Sequence, residues 1–240
     1  MSPTKSTVEE IRQRFDAEVE RFSNLETGQS ATIDAPLALA LISSAAAQVT
    51  PSAQRVLDLG CGAGNYSLKL IEKLPRVGVT LVDLSRNMLD RALERVGAVA
   101  QAPVEAIQSD IRDLPWDKLA GQFDVVMAAA TLHHLRTDDE WRGVFAGVYR
   151  SLRPRGSFWI SDLIEHDDPH VQALMWQRYG EYLAGLGGDA YREKVFTYVA
   201  AEDTPRSVPF QLELLRTVGF SGIELLHKNS CFAAFGGIKH

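Results

Sequence analysis

Only two cysteines, Cys61 and Cys231, occur among the 240 residues, which excludes a disulfide framework and a cysteine-based zinc site. The sequence has no apolar run of about 18 residues, so no membrane-spanning helix is predicted. Its amino terminus lacks the basic-then-apolar pattern of a signal peptide. No basic block occurs, and a net charge of -6 disfavours nucleic acid as a partner. These absences predict a cytoplasmic protein away from the membrane, and they leave a homodimer open.

The composition is that of an ordinary globular protein, with 45% hydrophobic and 23% charged residues. Apolar residues recur at helical spacing from Val8 to Phe22, and 35–49 reads as a second helix ending near Pro51. Ser6 or Thr7 can cap the first helix, with Glu9 or Glu10 at capping-box spacing. Residues 1–52 are therefore predicted to form a helical cap.

From residue 53 to 240, β-rich runs alternate with helical patterns, which predicts a parallel α/β sheet. The strand candidates are 55–60, 78–84, 104–110, 123–129 and 156–163, with helices starting near Gly64, Ser85 and Asp138. At the end, 222–228 and 231–239 are separated by two residues, which is hairpin spacing and makes one strand antiparallel. Residues 164–206 exceed an ordinary crossover and are interpreted as an inserted helical lid.

The stretch "VLDLGCGAGNYSLKL", residues 56–70, joins a strand to a helix through Gly60, Gly62 and Gly64. Such a junction offers free backbone N–H groups and a helix N-terminus to a ligand. The spacing departs from the G-x-G-x-x-G pattern of nicotinamide dinucleotide sites, because Gly64 arrives one residue early. Asp58, inside the preceding strand, suits a cationic amine better than a pyrophosphate by charge sign.

Two further acids follow the next two strands. Asp83 lies where a carboxylate can accept hydrogen bonds from both ribose hydroxyls. Asp110 follows the third strand, where a side chain can reach the exocyclic amine of a purine. A nucleoside joined to an amino acid is the ligand that this order of residues indicates.

The stretches "VLDLGCGAG", "LVDLSRNML", "SDIRDLP" and "FDVVMAAATLHHL" resemble the successive motifs of class I S-adenosylmethionine-dependent methyltransferases. The resemblance covers about residues 53–163 and implies a Rossmann-like doubly wound sheet of seven strands with an antiparallel last strand. It implies S-adenosylmethionine as cofactor and a small-molecule methyl acceptor as substrate. It places Gly60, Cys61, Gly62 and Gly64 around the methionine, Asp83 at the ribose, Leu84, Met88, Asp110 and Ile111 at the adenine, and Ala129 and Ala130 near the sulfonium.

The last third of the chain is similar to carboxy-S-adenosylmethionine synthases, which modify the cofactor itself. Those enzymes hold the extra carboxylate with an arginine in the helix before the "GF" turn, where this sequence has Leu214, with Arg216 two residues later. Gln29 remains available for the methionine carboxylate. This departure favours ordinary S-adenosylmethionine as the methyl donor. The alternatives are the synthase activity and a non-catalytic protein that binds S-adenosylmethionine.

His133 is the candidate catalytic base, because "LHHL" follows the fourth strand at the ligand end of the sheet. A structural role in pinning the loop is the alternative, and His134 is expected to face the core. The segment "SDLIEHDDPHVQ", residues 161–172, contains oxygen and nitrogen donors, but a solvated acidic loop is favoured over a metal site. No metal ligand is assigned.

Overall fold

Three helices precede the sheet in the computed structural model, which describes residues 5–24 and 29–240. They are α1 (Val8–Ala17), α2 (Val19–Ser23) and α3 (Ala35–Val49). All three lie in the segment predicted as a helical cap, but α3 packs in the same hydrophobic cluster as Val56 and Val125 of the sheet. At the start of α1, the Thr7 hydroxyl accepts a bond from Glu10 N–H and the Glu10 carboxylate accepts one from Thr7 N–H. The prediction of one helix through Phe22 was wrong. The Glu18 N–H bonds to the Phe15 carbonyl three residues back, which ends α1 there.

A seven-stranded sheet in the order β3-β2-β1-β4-β5-β7-β6 forms the centre of the remaining chain. Its strands are β1 (Arg55–Leu59), β2 (Gly78–Asp83), β3 (Val104–Gln108), β4 (Phe123–Ala129), β5 (Leu152–Leu163), β6 (Ser221–Asn229) and β7 (Phe232–Ile238). The helices that follow the cap are α4 (Asn65–Ile71), α5 (Arg86–Gly97), α6 (Asp138–Ser151), α7 (Pro169–Glu202) and α8 (Val208–Val218). This arrangement confirms the predicted doubly wound α/β fold.

Helices cover both faces of the sheet, which is why the central strands read as continuous apolar runs. Neighbouring residues of a strand pack in different hydrophobic clusters. Val56 of β1 and Val125 of β4 pack in one cluster, while the next residues, Leu57 and Val126, pack in the other. All four are fully buried. Across residues 5–24 and 29–240, no helix has the length and apolarity needed to span a bilayer.

The strand order reverses at β1, which pairs in parallel with β2 on one side and β4 on the other. The connections from these strands run to opposite sides of the sheet, so a crevice forms at their carboxyl ends. Apart from Gln29, which lies before α3, the predicted site residues lie at this edge, in the ends of the strands or in the segments that follow them. Topology alone therefore brings them together.

The terminal hairpin places β7 antiparallel between β5 and β6, as predicted. Asn229 pairs with Phe232, so the turn consists of Ser230 and Cys231, one residue later than expected. Ser230 adopts a left-handed φ of 50°, which such a two-residue turn requires. The Ser230 hydroxyl donates to the Met175 carbonyl and ties the hairpin to α7.

Helix α7 occupies most of the segment predicted as a lid, a name kept for it below, and folds back on itself at Gly187 and Gly188, which leave helical geometry. Trp176 stacks on Phe196 with ring centroids 4.7 Å apart. Twenty residues of straight helix would separate these rings by about 30 Å, so the two halves must be antiparallel. The fold-back places Tyr179 in a small core that the lid shares with the segment before α3 and with the ends of β5 and the terminal hairpin.

Candidate active site

A cavity of about 220 Å³ opens at the carboxyl ends of β1, β2 and β4, beneath the cap and the lid. It is lined by every predicted cofactor residue except Gly64, and by the predicted base: Gln29, Asp58, Gly60, Cys61, Gly62, Asp83, Leu84, Met88, Asp110, Ile111, Ala129, Ala130 and His133. Gly64 is the N-cap of α4 at a φ of +83°, and a Cβ there would lie 2.8 Å from Val96 Cγ2. Its role in this structure is to let α4 pack against α5.

The glycine loop follows β1 with a left-handed turn at Gly60, whose φ is +62°. A Cβ at Gly60 would lie 2.1 Å from Thr131 Oγ1, so any side chain would collide with the segment after β4. The Thr131 hydroxyl is fixed there by its bond to the Ala129 carbonyl, 2.9 Å long. The glycine loop therefore lies directly against the segment that follows β4, and both line the cavity.

Asp58 is buried in β1, where the Ser67 hydroxyl donates to its Oδ2 atom at 2.6 Å. Burial raises the pKa of Asp58 to about 7, and the neighbouring charge of Asp83 raises it further, against the Ser67 bond. The described part of the structure shows no cationic side chain bonded to Asp58. Its carboxylate can therefore be stabilised by a cationic group on a ligand.

Asp83 ends β2 and holds the glycine loop. Its Oδ2 atom accepts from the Gly62 N–H and its Oδ1 atom accepts from the Ser85 N–H, both at 2.8 Å. Burial raises the pKa of Asp83 to about 6, although these hydrogen bonds oppose the shift. Each carboxylate oxygen can accept a further bond, which leaves capacity for two hydroxyl donors. The Ser85 hydroxyl accepts from Met88 N–H and caps α5, as predicted for this residue.

The part of the cavity predicted to hold the adenine contains buried Met88, buried Ile111 and the carboxylate of Asp110. Arg112 donates to Asp110 from both its backbone N–H and its Nε atom, each at 2.9 Å. This arginine lowers the pKa of Asp110 even though burial opposes the shift. Asp110 is therefore an ionised acceptor whose orientation is fixed from within its own loop.

At the opposite end, His133 lies in a short 3₁₀ turn after β4 and its Nδ1 atom bonds to Asp162 at the end of β5. The Oδ2 atom of Asp162 accepts from Leu132 N–H at 2.8 Å, and its Oδ1 atom accepts from Leu163 N–H at 2.7 Å. Burial disfavours the charged imidazole, but Asp162 and Asp203 outweigh it and raise the pKa of His133 to about 9. This pair of acids therefore holds a proton on His133 in the ligand-free protein.

His134 is partly buried beside His133, with ring centroids 4.4 Å apart, and both of its ring nitrogens are buried. Burial lowers its pKa well below the usual value, and the positive charges of His133 and Arg14 lower it further. Asp203, the first residue after the lid helix, faces both rings, and burial raises its pKa to about 6. The site thus contains a compact group of two imidazoles and two carboxylates.

The part of the cavity around these histidines is lined by residues of the cap and the lid. Its apolar lining comes from α1, α7 and the sheet edge: Val8, Ile11, Phe15, Leu163, Tyr198, Val199 and Phe232. Arg14 of α1 donates to the Glu202 carboxylate of the lid, with Nε at 2.7 Å from Oε1. The Tyr179 hydroxyl donates to the Ala31 carbonyl at 2.9 Å and joins the lid to the segment before α3. This part of the cavity is called the second compartment, and none of its apolar residues is among those predicted to hold the cofactor.

Sequence reasoning missed two acids of this site. Asp162 was interpreted as part of a solvated acidic loop, but it is only 3% exposed because it accepts from backbone N–H groups at the sheet edge. Asp203 carried no local signal, since only the fold-back of α7 brings it near His133. The neighbouring Asp167 and Asp168 are exposed, and Asp168 caps α7.

The crevice, the glycine loop and the acid at the end of β2 together define an α/β nucleoside-binding fold of the methyltransferase type. A family profile described as "Methyltransferase domain" matches residues 56–156. The chain is 30% identical over 190 residues to a carboxy-S-adenosyl-L-methionine synthase of Trichodesmium erythraeum, an alignment that covers 77% of this chain and 72% of that protein. It is 37% identical over 107 residues to YqeM of Bacillus subtilis, which is provisionally named a methyltransferase.

The alignment with YqeM covers 44% of this chain and only 41% of that protein. Among solved structures, 1,6-didemethyltoxoflavin-N1-methyltransferase of Burkholderia thailandensis, with S-adenosylhomocysteine bound, superposes with a TM-score of 0.63 at 19% identity. That superposition covers 100% of this chain and 93% of the other. The chain belongs to the class I S-adenosylmethionine-dependent methyltransferases, enzymes whose cofactor is S-adenosylmethionine.

Proposed function

We propose that this protein transfers a methyl group from S-adenosylmethionine to a small-molecule acceptor. The observation that carries this proposal is one cavity with two ends. The predicted cofactor residues line one end, and an apolar compartment with His133 lies at the other. The names of the relatives support the cofactor, while the acceptor compartment is argued from this chain alone.

In this proposal each group of the cofactor meets a complementary group of the chain. The buried Asp58 balances the charge of the methionine amine, and Gln29 with the glycine loop receives the methionine carboxylate. Asp83 accepts from the ribose hydroxyls and Asp110 from the adenine amine. Ala129 and Ala130, directly after β4, would contact the methyl-bearing end. Ala130 has a left-handed φ of 51°, a conformation of a kind that concentrates at functional sites.

The reaction breaks the bond between sulfur and the methyl carbon and forms one between that carbon and an acceptor atom. The electron pair stays on sulfur, and S-adenosylhomocysteine leaves. Positive charge disappears from sulfur during transfer, so a closed apolar compartment and correct orientation contribute much of the acceleration. An acceptor that carries a proton must lose it, and His133, oriented by Asp162, is the proposed group for this role. The positive sulfonium of the bound cofactor would repel the imidazolium of the ligand-free protein, and so favour the neutral imidazole that can accept this proton.

The first test is binding. Isothermal titration should show one site for S-adenosylmethionine and one for S-adenosylhomocysteine, and none for NADH. Incubation of the protein with metabolite extract and labelled methyl donor should then give a labelled small molecule. Cofactor binding without transfer to any acceptor in several extracts would favour the non-catalytic alternative. NADH binding without S-adenosylhomocysteine binding would overturn the proposal.

A carboxy-S-adenosylmethionine synthase is the second candidate, favoured by the 30% identity over 77% of the chain. Against it, Leu214 packs in the core and Arg216 is an exposed side chain paired with Glu213, so neither lines the cavity. Mass spectrometry of the nucleoside released from the purified protein separates the two. The mass of the carboxylated cofactor would favour the synthase, and that of the ordinary donor or its demethylated product would favour methyl transfer.

A further inference from the structure

We propose that His133, His134 and Asp203 form a binding site for one divalent transition-metal ion of the Zn²⁺ class, at the acceptor end of the cavity. Two imidazole nitrogens and one carboxylate oxygen are a donor set that such ions prefer. The three residues come from two distant segments, the turn after β4 and the end of α7. Sequence analysis assigned no metal ligand to either segment.

The spacing of the donor atoms fits such an ion. His133 Nε2 lies 3.7 Å and His134 Nδ1 lies 3.4 Å from Asp203 Oδ1, and the ligand atoms of the three residues all lie within 4.8 Å of one another. Ligands about 2.1 Å from a tetrahedral ion are about 3.4 Å apart. Small side-chain rotations therefore suffice for all three to bind one ion.

The cluster also contains buried polar atoms that lack hydrogen-bond partners among the described residues. Asp203 is 5% exposed, and its Oδ1 atom, which faces both histidines, accepts no hydrogen bond. His134 Nδ1 is buried and equally without a hydrogen bond. Unsatisfied buried groups of this kind cost free energy, and a bound ion would satisfy both at once.

Asp162 gives the cluster a further feature of metal sites. It bonds to His133 Nδ1, which fixes the ring and leaves Nε2 directed at Asp203. A ligating histidine usually donates its other ring N–H to such a carboxylate. Of the neighbouring cations, Arg14 is paired with Glu202, and Lys5 donates to the backbone carbonyl of Asp203. Three protein ligands leave a coordination position open, and the cluster lines the cavity.

The open position faces the compartment proposed for the acceptor. The role of the ion in orienting the acceptor therefore rests on the proposed function. A coordinated oxygen, nitrogen or sulfur atom of the acceptor would be oriented there and would lose its proton more readily, to water. With the ion bound, both ring nitrogens of His133 are occupied, so the ion would take over the role proposed for His133 as the base. The alternative is that His133 is held only by its two acids and that no ion binds.

Metal binding can be tested without any acceptor. The purified full chain, freed of metal by a chelator, is titrated with Co²⁺ and then Zn²⁺. One Co²⁺ per chain with visible d–d absorption, displaced by Zn²⁺, is expected. Asp203→Asn and His134→Gln should weaken Co²⁺ binding at least about tenfold, and Asp162→Asn by about 10- to 100-fold.

His227→Gln is the matched control, because His227 Nε2 pairs with Asp34 at 2.9 Å outside the cavity. Its Co²⁺ affinity should equal that of the wild type. Titration with S-adenosylhomocysteine on each variant reports whether the protein remains folded and whether the proposed function stands. Retained S-adenosylhomocysteine binding with no Co²⁺ or Zn²⁺ bound by the wild type overturns the metal site alone. Unchanged Co²⁺ affinity in Asp203→Asn and His134→Gln also overturns it.

Discussion

The cofactor end and the acceptor end of the cavity are built in different ways. The cofactor end uses loops that directly follow β1, β2, β3 and β4, so its groups lie at the ends of consecutive strands within residues 58–130. The acceptor end joins α1, the turn at His133, the end of β5 and both halves of α7. The cofactor end depends on the strand topology of the fold, and the acceptor end depends on contacts specific to this chain. We expect mutations to separate the two ends functionally.

The largest expected effect is on the acceptor end. His133→Gln should lower kcat by about 100-fold or more, since proton transfer typically contributes that much. S-adenosylhomocysteine affinity, measured by titration calorimetry, should remain that of the wild type. A variant with wild-type turnover would remove His133 from the chemistry and leave it a structural role.

A glycine substitution should disturb the cofactor end most. Gly60→Ala combines a left-handed φ with a Cβ 2.1 Å from Thr131 Oγ1, so we expect about 3 kcal/mol less free energy of unfolding. Gly62→Ala is the control, because no atom lies within 4 Å of its Cβ. It should cost about 1 kcal/mol, for backbone strain only. Urea unfolding of both variants checks the difference, and equal losses would contradict the close approach.

Asp83→Ala should weaken S-adenosylhomocysteine binding by about 1.5 to 3 kcal/mol, the range for hydrogen bonds to a charged group. Calorimetric titration measures this loss. Asp83→Asn keeps the shape of the side chain and controls for collapse of the glycine loop. Unchanged binding in both variants would refute the ribose role of Asp83.

Removal of the ion pair between Arg14 of α1 and Glu202 of α7, which links the cap to the lid, should affect the acceptor end alone. Arg14→Met leaves the carboxylate of Glu202 buried without its partner, and we expect a loss of about 1 to 2 kcal/mol of unfolding free energy, since Arg14 is partly exposed. Arg142→Met removes an exposed pair with Asp139 and should change nothing measurable. An effect of Arg14→Met on S-adenosylhomocysteine affinity rather than on acceptor KM would show that the two ends are coupled.

The smallest effect expected is a pH dependence at the cofactor end. Since burial raises the pKa of Asp58 to about 7, the free protein is protonated there below that pH. A cationic amine favours the carboxylate, so affinity for S-adenosylmethionine should rise by a few-fold from about pH 6 to about pH 7.5. Asp58→Asn should bind more weakly and lose this rise. A rise that persists in Asp58→Asn would assign it to Asp83, whose pKa is about 6.

That the residues of the proposed cofactor end line one cavity was predictable, because their signals are local. The apolar run before Gly60, the acids after β2 and β3, and the strand-helix alternation each occupy a few adjacent residues. Parallel topology then brings them to one edge without further information. Gly64 shows the limit of this reasoning, because it allows α4 to pack against Val96 and does not line the cavity.

The sequence by itself determined the doubly wound sheet, the antiparallel hairpin strand and the family, because periodicity, turn residues and motif order are written along the chain. Only the tertiary structure decided that Asp162 is buried, that α7 folds back at Gly187 and Gly188, and that Asp203 thereby faces His133 and His134. These facts depend on contacts between residues tens of positions apart. Such contacts leave no periodic pattern, because the energy that fixes them comes from packing and burial rather than from local conformational preference.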